Sequence, residues 1–168
     1  MTLVLTSILT AFLATSPAQA ADYPILKTYE TLATEVAEAT KIASTEAELD
    51  AIRTSTRELI GLGTEIVKLY GEKNPNCQAQ FDVMIQEIPD METMTVDDLH
   101  DRYHDGTGLP TAPRHCYFGR SQIVHPAMNI VRLQSAWTEV TREEVLEETE
   151  EVIEHLARIQ KNLDNPPN

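Results

Sequence analysis

Aromatic side chains make up only 5% of this chain, and no stretch from residue 21 onward alternates apolar with polar positions as a half-buried strand does. A β architecture is therefore not expected. After the first residues, no segment approaches 18 consecutive apolar positions, so no membrane-crossing helix is predicted. Basic residues are scarce as well: 13 Lys and Arg stand against 27 Asp and Glu, a formal charge of -14. A chain this acidic is repelled by phosphate backbones and by anionic lipid, which sets it apart from nucleic-acid-binding and membrane-surface proteins. Several chemical motifs are also missing. The chain has no CxxCH for covalent haem attachment, no ExxH of the kind di-iron bundles carry, and no GxSxG nucleophile elbow. There is no internal repeat and no low-complexity segment.

What is present begins with a leader. Leu3 to Ala14 form an apolar run of signal-peptide length, and Ser16 to Ala20 (SPAQA) end in the small-x-small pattern that signal peptidase cleaves. Residues 1–20 are read as a signal peptide, cleaved near Ala20, and 21–168 as one helical domain of a periplasmic or secreted protein. The basic n-region of a signal peptide is missing, since no Lys or Arg precedes Asp22, as it would be if the start codon lay further upstream.

Cys77 and Cys116 are the only cysteines. In an oxidising compartment an even pair reads as a disulfide, closing a loop of about forty residues and stabilising the fold by on the order of 4 kcal/mol.

Apolar positions recur at threes and fours. Leu26, Tyr29, Leu32, Ala33, Val36 and Ala43 give one amphipathic stripe. Thr45 with Glu48 is a capping box, opening a second stripe of Leu49, Ile52, Leu59, Ile66 and Leu69 that Gly71 is expected to cap. A short third helix from Cys77 is expected to stop at Pro89. Thr95 and Asp98 open a brief helix containing Leu99 and Tyr103. The glycines and prolines of 105–120 predict a long ordered loop, Pro126 the first turn of the next helix, and Thr141 with Glu144 the cap of the last. The predicted long helices are 24–44, 46–70, 126–138 and 142–163. The expected fold is all-α, a four-helix-bundle-like single domain with a long loop and short-helix crossover between helices two and three.

Four of the five histidines, His100, His104, His115 and His125, lie between positions 100 and 125. His100 and His104, four apart on a short helix, put both imidazoles on one face, as a metal grip requires. Zinc, copper or a haem iron would all accept imidazole. The same stretch reverses the charge of the chain: Arg102, Arg114, Arg120 and Arg132 face one acid, Asp105. Arg114 and Arg120, flanking Tyr117, suit a carboxylate or phosphate, haem propionates included. The alternative is internal pairing, with these arginines neutralising the glutamates of 139–154 and the histidines serving as structural groups.

Two functional readings follow. The first is a non-enzymatic exported protein binding a metal, haem or small anionic ligand at the region from His100 to His125. The second is an acidic interaction module without a cofactor, docking a basic periplasmic protein through Glu143, Glu147, Glu150 and Glu154.

Overall fold

The computed structural model describes residues 22–167; the leader read at 1–20 lies outside the described residues. Those residues form helices and turns, with no strand among them, so the chain is all-α. None of the described helices is long and apolar enough to cross a membrane.

Helix α1 spans Pro24–Ile42, with proline in its first turn where a missing N–H costs nothing. It buries Leu26, Tyr29, Ala33, Val36 and Ala37, close to the predicted stripe. The Thr45–Glu48 capping box then opens α2, Glu46–Lys73, as the sequence predicts. Gly71 does not cap it. The helix runs on to Lys73, and Asn74 ends it by donating both its backbone N–H and its side-chain amide to the Tyr70 carbonyl. A 3-10 turn, Pro75–Cys77, leads into α3, Gln78–Met91, whose Pro89 falls in the last turn and is carried for two more residues.

The Thr95–Asp98 box starts α4, Val96–Leu99, which continues directly into a π turn, His100–His104, closed by the Asp105 N–H on the His100 carbonyl at 2.8 Å. The loop that follows is shorter than expected. Helix α5 begins at Cys116 and runs to Leu133, so Gly119 and Pro126, read as loop and helix-start residues, both lie within it. Tertiary contacts explain the difference. Proline has no N–H to give the carbonyl four residues back, that of Gln122, and the buried Tyr29 hydroxyl of α1 donates to this carbonyl instead, at 3.0 Å. Gly63 of α2 packs on the same point, where a Cβ would stand 2.2 Å from the Gln122 oxygen. At Gly119 a Cβ would meet the Phe81 ring at 2.7 Å, so that glycine serves close packing and not a break in the helix.

Helix α6, Glu139–Asp164, starts three residues earlier than predicted, because Thr138 and not Thr141 is its cap. Its one polar core residue, Thr149, is matched: Asn129 of α5 donates to its hydroxyl at 3.1 Å. The main contacts among the long helices are α1 on α2 and α6, and α5 on α2 and α6, the α2–α5 contact being the most extensive. The Cys77 and Cys116 sulfurs are joined in a disulfide, tying the start of α3 to the first residue of α5.

Candidate metal site between α5, α6 and the π turn

Three segments bring imidazoles together. The wide π turn sets His100 over His104, with ring centroids 4.4 Å apart and planes within 18°. The centroid of His104 is 5.3 Å from that of His125 on α5, and His125 is 6.1 Å from His155 on α6. Tyr117, one residue past the disulfide, stands edge-on to both His104 and His155.

The hydrogen bonds orient these rings. His125 is 1% exposed; its Nδ1 is bonded to Glu148 Oε2 and lies 3.8 Å from Glu151 Oε2, while its buried Nε2 has no partner. His155 Nδ1 is held by Ser121 Oγ at 2.9 Å, leaving Nε2 3.6 Å from Glu151 Oε1. Tyr117 Oη donates to Glu151 Oε1 at 2.8 Å and lies 2.8 Å from His104 Nε2. A side-chain oxygen on Nδ1 fixes the ring and its tautomer, the arrangement by which metal-binding histidines are held from behind.

The electrostatics are those of a partly buried, anionic wall. Burial alone pushes the Glu148 carboxyl up, but the His125 bond and the nearby Arg132 charge outweigh it and hold the group below the ordinary carboxylate value. Burial pushes the His155 imidazole down, so its nitrogen is available as a lone-pair donor at neutral pH. Burial and then the bond to Glu151 raise the Tyr117 phenol, which stays protonated.

One donor atom each from His104, His125 and Glu151 lie within 4.8 Å of one another, as do those from His100, His104 and Asp105 at the surface. Tetrahedral ligands at ordinary bond lengths are about 3.4 Å apart, so to meet on one ion the inner three would have to draw closer and Tyr117 Oη would have to leave its place between His104 Nε2 and Glu151 Oε1. His115 is grouped elsewhere: its partners are the Cys77–Cys116 disulfide, whose oxidised sulfurs are not thiolate ligands, and the Tyr70 ring.

Arg114, Tyr117 and Arg120 line one cavity of about 570 Å³ that His104 also borders. Arg120 is engaged within the fold, donating to Gln80 Oε1 at 3.2 Å and to the His104 carbonyl at 2.8 Å. Arg114 is exposed. Of the four arginines in the basic stretch, Arg132 reaches α6, pairing with Glu144 and Glu148, whereas Arg102 pairs with Glu87 of α3.

Glu148, Glu151 and His155 are missing from the site that sequence reasoning assembled. They belong to a glutamate-rich run that reads as a solvated face. Their spacing of three and four places them beside the apolar positions Val145, Val152 and Leu156, and that is the signal by which they are separable from the exposed glutamates. Comparison with protein families, with curated proteins and with solved structures finds no match to this chain.

Proposed function

We propose that this is an exported, periplasmic protein with a four-helix-bundle-like frame that binds a divalent first-row transition-metal ion through His104, His125 and Glu151. The observation that carries the reading is His125. This imidazole is buried to 1% exposure, has one nitrogen without a partner, and offers a donor atom within 4.8 Å of donors on His104 and Glu151, a costly arrangement for a polar group unless a ligand meets it. Imidazole and carboxylate donors suit zinc, copper(II), nickel or iron(II). A converging set of three favours a bare ion over haem, whose ring supplies its own equatorial nitrogens and asks the protein for axial donors only.

The test is the metal-to-protein ratio of the mature protein purified without chelators or a His tag, against a His104→Ala, His125→Ala double variant. The reading expects near-stoichiometric metal in the first and none in the second, with binding weakening as pH falls through about 6. No metal above background, even after incubation with zinc, copper or nickel, overturns it.

A second reading has its own support. Glu143, Glu147, Glu150 and Glu154 line a groove of about 520 Å³ along α6, a surface suited to a basic protein partner. Binding through it weakens steeply with ionic strength, which a metal site does not.

A further inference from the structure

His104 is shared by two groups of donors, and its two nitrogens are turned to different sides. Nδ1 lies 3.1 Å from Asp105 Oδ1, whose other carboxylate oxygen is 3.8 Å from His100 Nδ1. Nε2 lies 2.8 Å from Tyr117 Oη, itself bonded to Glu151. Side-chain exposure falls along the series from 47% at His100 to 23% at His104 and 1% at His125. A neutral imidazole has one lone pair, so His104 serves an ion on one side or the other, never both at once. The outer and inner groups are therefore alternatives for a single ion.

We infer that His100, His104 and Asp105 form a surface capture site from which a divalent transition-metal ion passes to His104, His125 and Glu151, with His104 as the ligand common to both. This rests on the metal-binding reading above. In the transfer the bond from the ion to His104 Nδ1 breaks and one to Nε2 forms. The proton that Nε2 carries while Nδ1 is ligated is released to water, and Nδ1 takes one from water beside Asp105, so charge and protons balance. His100 leads the ion in and is not a ligand of the final site. The other approach, the glutamate groove along α6, also reaches Glu151 and His155 but offers mainly carboxylate oxygens, which attract cations of every kind, whereas the outer group offers two imidazoles of the kind first-row ions prefer.

A residue that only speeds the passage of an ion changes the rates of binding and release by the same factor and leaves the equilibrium untouched. The experiment is stopped-flow binding and release of Co²⁺, followed by its visible absorption, on the whole mature protein. The variants are His100→Ala and, separately, Glu147→Gln/Glu150→Gln/Glu154→Gln, with circular dichroism as the check on folding. The expected result is that His100→Ala slows both loading and release at least tenfold while Kd stays within twofold, and that the glutamate variant loads within threefold of wild type. Unchanged rates in His100→Ala, a Kd raised tenfold by it, or slow loading confined to the glutamate variant would each overturn the proposal. Failure of the wild-type protein to bind Co²⁺, zinc or copper at all overturns the metal-binding reading itself, and the capture site with it.

Discussion

Replacing Cys77 and Cys116 together by alanine removes the covalent tie between α3 and α5. The two cysteines are 39 positions apart. In the chain-entropy treatment, opening a loop of that length restores to the unfolded chain about 13 cal/mol/K, or about 4 kcal/mol at 25 °C. Both sulfurs are fully buried, so truncation adds a packing loss to this figure. For a domain of this size 1 kcal/mol corresponds to about 2–4 °C in Tm, which puts the expected drop at roughly 8–16 °C. The assay is thermal unfolding by circular dichroism at 222 nm, wild type against the double variant, at one pH and one concentration. Since Cys116 lies one residue before Tyr117, the same variant is expected to weaken metal binding as well. A fall in Tm of less than about 4 °C would refute the reasoning, because it would mean that the loop is already held closed in the unfolded ensemble or that α3 adds little to the fold.

Four further outcomes are expected. Glu148→Gln, which keeps the shape but not the charge behind His125, should lower metal affinity by about 10–100-fold with unchanged helicity, checked by competition with a chromophoric chelator. Tyr29→Phe leaves the Gln122 carbonyl without its cross-helix donor and should cost about 1–3 kcal/mol. Gly63→Ala forces backbone apart at the α2–α5 contact and should cost at least as much, both read from urea denaturation. Glu48, bonded first to the Ser44 N–H and then to Thr45, titrates at about 2 in the folded chain instead of the usual 4.5. A depressed carboxylate stabilises the fold above its unfolded value and loses that contribution as pH falls through the folded one. Wild-type Tm should therefore fall between about pH 4.5 and 2 by more than that of Glu48→Gln, measured on the metal-free protein.

Much of the fold was legible. The stripes of α1, α2 and α6 show in the sequence because each buries one face only, and the Thr45 and Thr95 boxes mark their own helix starts. The first half of α5 was hidden, because Gly119 and Pro126 have breaker chemistry in isolation. What keeps them helical is Phe81 from α3 and Tyr29 from α1, contacts made across 38 and 93 positions of chain, which no local pattern reports. At the site, His100, His104 and His125 stood out by clustering, as did Tyr117 by its place between two arginines. His115 was drawn in by proximity in sequence, but the chain carries it to the disulfide. Glu148, Glu151 and His155 come from the far end of the chain, and only the α5–α6 packing delivers them.

Tyr29, Gly63 and Pro126 converge on the Gln122 carbonyl and are expected to be coupled when any of them changes. While proline stands at 126, a lineage is constrained to keep a hydroxyl at 29 and the smallest residue at 63. Once the proline is lost, the helix reclaims its own carbonyl, and the selection for tyrosine's hydroxyl at 29 lapses. Substitutions at these three positions, far apart in the gene, should therefore be accepted in order and not independently, with the proline changing first. The same order is the practical one for engineering: stabilising α5 starts by replacing Pro126, and only then does Tyr29 become open to redesign.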